Sequence, residues 1–303
     1  MEPARELYNA TVDLLERNLA SGMGGRPYLV TDSKVFSYDE VVAASDGIGA
    51  GLLGLGLEQG HRVLILTRDC PELVCTFWGA MKVGLVPVLL SPALSASDLR
   101  FIIDDSRATA IVFDVSTERI LSSVDLAGIA PLSVHDSALA GARRWREVST
   151  PQRVTSAPTR PDDTAFWLYT SGTTGTPKAV LHPHRNLRAA PDGLSRQVIG
   201  LGPGDVVLSA SRMFFAYGLG NAVYLPAAAG AAVAVDSFPV SPASIQAAID
   251  RYSPTILFGV SSLYAGYVRL PEASLTRSVR QVFSAGEALS ADLFHEKSDP
   301  HTM

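Results

Sequence analysis

The densest concentration of phosphate-binding chemistry lies in Tyr169-Thr-Ser-Gly-Thr-Thr-Gly-Thr-Pro-Lys178. Gly172 and Gly175 let the backbone fold closely around a ligand. Successive backbone N–H groups in such a loop form a concavity for anions. Ser171, Thr173, Thr174 and Thr176 add hydroxyl donors, Thr170 borders them, and Lys178 adds a cation. The set suits a polyphosphate. The spacing is not Walker A, because Pro177 precedes the lysine and Ala179 follows it. It is not a kinase glycine loop either, since G-x-G-x-x-G is absent. A Ser/Thr-rich surface hairpin has the same composition, so composition alone leaves both readings open.

Other chemistry-bearing residues are sparse. His182 and His184 stand at i, i+2, which is not the spacing of a helical metal pair. They read as polar residues at a helix entrance, with His184 near enough to the loop to approach a phosphate. Cys70 and Cys75 are the only cysteines and have no Cys/His cluster around them. They predict two buried small hydrophobes rather than a disulfide or a zinc site. No metal ligand set is assigned.

The elements that must carry the loop alternate. Residues 7–20 carry apolar positions at Leu7, Val12, Leu14, Leu15 and Leu19, predicting an amphipathic helix. Short strands are expected at Tyr28–Thr31 and Val35–Tyr38, then a helix from Tyr38 to Leu55. Strands at 62–67, 85–90 and 110–114 are separated by helices at 71–83 and 96–105, which implies parallel βαβ units. Pro87 suggests an edge or bulge. Residues 115–160 read as a connecting region. The alternation resumes with strands at 165–169, 206–209, 231–235, 255–258 and 280–283 and helices at 184–198, 219–228, 241–252 and 261–269. Continuous apolar strands imply sheets covered on both faces. The expected fold class is therefore α/β. The predicted division is 1–160 for a first α/β subdomain with its connecting region, 161–294 for a second bearing the loop, and 295–303 as a divergent tail.

Composition narrows the function classes. The 303 residues are 47% hydrophobic and 18% charged, as in a globular protein. The net charge of -5, with no basic cluster, argues against a nucleic-acid surface. No signal peptide and no membrane span are visible, so the cytoplasm is the expected location.

The full loop string resembles the signature of the AMP-forming synthetase superfamily, whose members include acyl-CoA synthetases, luciferases and adenylation domains. Leu14-Leu-Glu-Arg-Asn18, Phe36-Ser-Tyr-Asp-Glu40, Gly60-His-Arg-Val63 and Gly79-Ala-Met-Lys-Val-Gly-Leu-Val-Pro87 are similar to its N-terminal domain, as is the region from Asp98 to Ser106. Met213-Phe-Phe-Ala-Tyr-Gly-Leu-Gly-Asn221, Leu257-Phe-Gly-Val-Ser-Ser-Leu-Tyr264 and Phe283-Ser-Ala-Gly-Glu-Ala-Leu289 most resemble benzoate-CoA ligases and related aryl-CoA ligases. The resemblance runs to about Phe294.

It implies two parallel-sheet βαβ subdomains flanked by helices. It implies ATP, Mg2+ with the ATP, and coenzyme A as co-substrate. The loop would hold the β- and γ-phosphates. Phe215, Ala216, Tyr217, Gly218 and Gly259 would line a flat pocket for an aryl acid, a small residue beside an aromatic giving a slot with a stacking wall. Gly218 and Gly220 would expose backbone there. Phe214 reads better as a core ring. Gly259 and Ser261 read equally as an ordinary strand-to-helix turn capped by Ser261. Ala285, Gly286 and Glu287 would border the adenine and substrate pocket, or Glu287 would favour a helix N-terminus.

The family's Thr-Glu motif, its ribose-binding Asp, its hinge and its C-terminal lysine have no counterparts up to Met303. No catalytic residue is therefore assigned. The sequence reads as incomplete at its C-terminus, with phosphate binding expected to persist and adenylation and thioester formation expected to be weak. A homodimer, or a separate chain supplying the remainder, is expected as partner.

Overall fold

The computed structural model describes residues 6–171, 176–237, 239–270 and 278–288. The chain divides into two compact units, one of Met1–Arg26 with Ser37–Ala190 and the other of Pro27–Phe36 with Pro191–Met303. In chain order the strands are β1 (Pro27–Val30), β2 (Val35–Ser37), β3 (Arg62–Leu66), β4 (Val86–Leu89), β5 (Ala110–Phe113), β6 (Ala130–Ser133) and β7 (Arg143–Arg144). They continue with β8 (Thr164–Ser171), β9 (Pro177–Pro183), β10 (Val206–Ser209), β11 (Ala232–Ala234), β12 (Ile256–Gly259) and β13 (Gln281–Ser284). The expected α/β architecture is present, built on two sheets of mainly parallel strands.

The first unit is a seven-stranded sheet in the order β7-β6-β5-β3-β4-β8-β9. β3, β4 and β5 are buried along their apolar lengths. Three helices connect and cover these strands: α1 (Tyr38–Gly54), α2 (Pro71–Lys82) and α3 (Ala96–Ser106). Each starts where the sequence supplies a start. Ser37 Oγ accepts from Glu40 N, and the Glu40 carboxylate accepts from Ser37 N, a reciprocal cap. Pro71 opens α2, where its missing N–H costs nothing. Ser95 caps α3, and Arg107 ends it in a left-handed conformation, φ 49°. Leu64, Leu66, Val88, Leu90, Leu99, Ile102, Ile111 and Phe113 form the core between sheet and α3.

Three expectations need correction in this unit. The N-terminal helical stretch, Val12–Glu16 and Arg17–Ala20, buries Leu14, Leu15 and Asn18 but leaves Leu7 and Val12 exposed. Asn9 and Thr11 are buried instead, because their side chains bond backbone carbonyls of α2 at Met81, Lys82 and Trp78. Pro87 lies in an interior strand, between β3 and β8. Val86 and Leu90 donate to β3, so Pro87 faces the β8 side, and registered pairing to β8 begins only at Val88. Residues 115–160 are not merely a connection: β6 and β7 extend the sheet beyond β5.

A buried charge cluster fixes the helices. Lys82 contacts both Asp46 and Glu16, and Arg153 Nη1 lies 3.6 Å from the second Asp46 oxygen. Cys75 is buried and Cys70 partly so, and both are free. Burial pushes both thiols up, Cys75 to about 12; Cys75 is the buried small side chain expected, whereas Cys70 is only partly enclosed.

The second unit is a six-stranded sheet in the order β13-β12-β10-β11-β1-β2. Helix α4 (Pro242–Tyr252) begins with a Ser241–Ser244 reciprocal cap and Pro242 in its first turn. Helix α5 (Ser261–Tyr267) follows β12 directly. Leu208, Ile245, Ile249, Leu257, Leu263 and Tyr264 pack as the core. The helix expected at 184–198 is a short turn, Asn186–Ala190, followed by a π-helical stretch, Pro191–Ile199. Pro191, at the junction, lacks the N–H that would continue the α ladder. No helix among the described residues is long and apolar enough to cross a membrane.

Candidate functional site

The signature loop joins β8 to β9, which pair antiparallel with Thr170 opposite Lys178 and Ser171 opposite Pro177. Residues 172–175, and so Gly172, Thr173, Thr174 and Gly175, lie outside the described residues. At the loop's base Thr170, Thr176 and Lys178 are exposed, and Thr170 Oγ1 lies 3.5 Å from the Lys178 carbonyl. One residue back, Tyr169 donates to Asp105 of α3 at 2.6 Å. Burial first, then that carboxylate, pushes the Tyr169 hydroxyl well above its ordinary range.

The two histidines serve the fold of this hairpin. The His182 ring stacks on Phe166 at 4.4 Å with planes 1° apart, and burial lowers its pKa. His184 is 1% exposed, and its Nδ1 accepts the Ala10 N–H at 3.2 Å. Burial lowers its pKa to about 4, against a smaller opposing pull from Asp163. A neutral ring enclosed in this way does not reach out to a phosphate, which corrects the expectation for His184. Among the described residues no group of His, Cys, Asp or Glu could hold a metal ion. A cleft of about 320 Å³ among Arg62, Asp163 and Trp167 lies at the other end of β8 from the loop and holds none of the candidate residues.

In the second unit, Phe215 and Ala216 are exposed, Tyr217 is half-buried and Gly218 is buried. Gly218 does not expose backbone as expected: a Cβ there would stand 2.0 Å from the Arg212 carbonyl oxygen, so this glycine serves close backbone packing. Phe214 and Phe215 lie 4.6 Å apart. Tyr217 meets Phe258 edge-on at 6.1 Å, and Phe258 stacks on Phe283 at 5.2 Å. Burial pushes the Tyr217 hydroxyl up to about 12, against a smaller opposing pull from the Asn221 side chain.

Gly259 ends β12 beside this stack. A Cβ there would lie 2.7 Å from Cζ of Tyr264. Tyr264 is itself held, donating to the Phe283 carbonyl at 2.9 Å. Ser261 does not cap α5. Its hydroxyl meets Ser284 Oγ at 3.2 Å, and the cap comes from Glu287, whose carboxylate accepts from Ser262 N at 3.0 Å. Ala285 N donates to the Gly259 carbonyl at 3.3 Å, and Gly286 takes φ +94°, a conformation L side chains rarely adopt.

The structure thus brings Tyr217, Gly259, Ala285, Gly286 and Glu287 together around the carboxyl ends of β12 and β13, where parallel sheets form ligand crevices. Sequence reasoning missed Phe258, Phe283 and Tyr264. Their adjacency follows from the Phe258↔Phe283 register, which no periodicity in the chain announces.

This geometry accords with the comparisons to known proteins. The sequence profile of the AMP-binding enzyme family matches residues 15–299, so the chain belongs to that family. It is 36% identical over 295 residues to benzoate–CoA ligase of Thauera aromatica, covering 95% of this chain and 56% of that protein. It is 35% identical over 300 residues to 4-hydroxybenzoate–CoA/benzoate–CoA ligase of Rhodopseudomonas palustris, covering 96% and 55%. Among solved structures, the anthranilate CoA ligase AuaEII in complex with anthranoyl-AMP superposes with a TM-score of 0.91 at 27% identity, over 95% of this chain and 57% of that one. A benzoate CoA ligase from Burkholderia xenovorans gives 0.87 at 27% identity, over 96% and 58%. The chain spans about half the length of the curated relatives it matches.

Proposed function

We propose that this chain carries the ATP- and aryl-acid-binding part of an aryl-CoA ligase. In the whole protein's reaction a benzoate-like carboxylate oxygen attacks the α-phosphorus of ATP. The bond to the bridging oxygen breaks, and pyrophosphate leaves. The thiol of coenzyme A, losing its proton, then attacks the acyl carbon, and AMP departs with the C–O bond electrons. On this reading Thr170, Ser171, Gly172, Thr173, Thr174, Gly175, Thr176 and Lys178 hold the β- and γ-phosphates. Phe215, Ala216, Tyr217 and Gly259 take the aryl ring with Gly218 packed behind them, and Ala285, Gly286 and Glu287 border the adenine and the acid. Mg2+ arrives with the ATP. A cytoplasmic setting, where ATP and coenzyme A are abundant, is part of the proposal.

The observation that carries it is the family match across residues 15–299, with the signature loop inside it on the β8–β9 hairpin. The benzoate and hydroxybenzoate ligases among its relatives support an aromatic acid, and the half-buried Tyr217 ring, backed by Phe258 and Phe283 beside Gly259, supplies a flat apolar wall for one. Binding is the test suited to this chain. Calorimetry should detect MgATP and, separately, benzoate. K178A should weaken MgATP by roughly tenfold, the loss of one charge-assisted contact, and leave benzoate unchanged. No MgATP binding, or equal binding by K178A, counts against the phosphate assignment. Affinity for a straight-chain acid equal to that for benzoate counts against the aryl one.

A further inference from the structure

We propose that Glu287 is a positioning residue: its carboxylate ties the exit of β13 to the start of α5 and so holds Gly259–Val260 and Ala285–Gly286 at a fixed separation. The inference rests on the reading of these segments as walls of the aryl pocket.

β12 and β13 run in register through Gly259 and Ser284, and the Ala285 N–H adds one further bond to the Gly259 carbonyl. Beyond that point the two chains part. One turns into α5, and the other turns at Gly286, where φ is +94°. Nothing in the sheet holds them together from there. Ser262 is the second residue of α5, a position whose N–H has no partner within the helix. The residue before the helix is Val260, whose side chain offers no acceptor. Glu287, 25 residues on, supplies it at 3.0 Å.

Two further ties flank this one. Ser261 Oγ meets Ser284 Oγ at 3.2 Å, and Tyr264 Oη donates to the Phe283 carbonyl at 2.9 Å. All three join the first two turns of α5 to the last residues of β13 and the turn after it. Ser261 and Tyr264 are mostly buried, whereas Glu287 is exposed, so its tie is the one that can be removed without opening the core.

The experiment compares E287A and E287Q with the unaltered 303-residue chain. Two quantities are measured: hydrogen exchange of the Ser262 amide and benzoate affinity. Loss of a cap at a helix start predicts about fivefold to tenfold faster exchange at Ser262 in E287A. A similar loss of benzoate affinity is expected. Gln keeps a carbonyl acceptor for the Ser262 N–H, so E287Q should return both quantities to near the starting values. Unchanged exchange in E287A overturns the proposal. So does an E287Q variant as impaired as E287A, since the charge would then act on a ligand directly. If the unaltered chain binds no benzoate, the aryl-pocket reading fails, and the exchange comparison still decides whether Glu287 makes the tie.

Discussion

Arg280 grips Asp205 with two donors on two oxygens, Nε on Oδ1 at 2.9 Å and Nη2 on Oδ2 at 2.8 Å. Thr255 Oγ1 and the Gly202 N–H complete the carboxylate's shell at 2.6 and 2.9 Å. The cluster gathers the amino ends of β10, β12 and β13, opposite the strand ends that carry Gly259 and Ala285. Burial alone would raise the Asp205 carboxyl, but these hydrogen bonds outweigh it and hold the group below its ordinary value. A depressed folded-state pKa stabilises the fold above the unfolded value near 4, and that stability is lost as pH falls through the folded value. D205N should therefore cost ~1–2 kcal/mol at neutral pH, discounted because Arg280 is 40% exposed. Urea titrations at pH 7 and pH 3 should show the gap between the two proteins shrinking at the lower pH.

His184 predicts a second, distinct acid sensitivity. Its folded pKa of about 4 lies below the unfolded value near 6.5. Above 6.5 both states hold the neutral ring. As pH falls from 6.5 towards 4 only the unfolded chain takes up the proton, so stability declines by about 3 kcal/mol across that window. H184N, whose side-chain oxygen can accept the Ala10 N–H, should flatten this decline. Chemical denaturation at half-unit pH steps tests it.

Lys82 stands between two carboxylates in the first unit, with Asp46 1% exposed. Replacing it with Met removes the cation shared by Asp46 and Glu16, leaving buried Asp46 only the exposed Arg153 at 3.6 Å. K82M should destabilise by about 3–5 kcal/mol, the usual cost of breaking a buried pair. Adding D46N and E16Q should recover much of that loss. Equal stability of K82M and the unaltered chain would show the cluster to be dispensable.

Gly218 and Gly259 predict steric rather than entropic effects. G218A places a methyl 2.0 Å from a backbone oxygen, which cannot rotate away. G259A places one 2.7 Å from the Tyr264 ring, which is hydrogen-bonded and buried. Each should cost about 1–3 kcal/mol, with G218A the worse. G25A, where nothing lies within 4 Å, is the matched control and should be near neutral in thermal melts.

Local signals in the chain announced much of the fold. Pro71 and Ser241-Pro242 marked helix starts, and the apolar runs at 62–66 and 110–113 marked buried parallel strands. The signature loop was legible because its residue types act in sequence order. What was illegible depended on partners distant in the chain. Asn9 and Thr11 are buried because carbonyls of α2 receive them, which a periodicity count treats as polar surface. Pro87 tolerates an interior strand because of which neighbour its missing N–H faces. Glu287 caps a helix 25 residues earlier, so its own neighbours do not reveal what it does.

The chain leaves the signature loop as the strand β9, running Pro177–Pro183, and not as a helix. A strand has almost no net dipole along its axis, whereas a helix beginning at such a loop would present roughly half a positive charge to an anion. Electrostatic attraction at this end of the hairpin therefore comes from discrete groups, Lys178 foremost. An exposed ammonium is screened over about 8 Å at physiological ionic strength. The nucleotide capture proposed for this loop should accordingly weaken as salt rises, more steeply than at a loop backed by a buried helix.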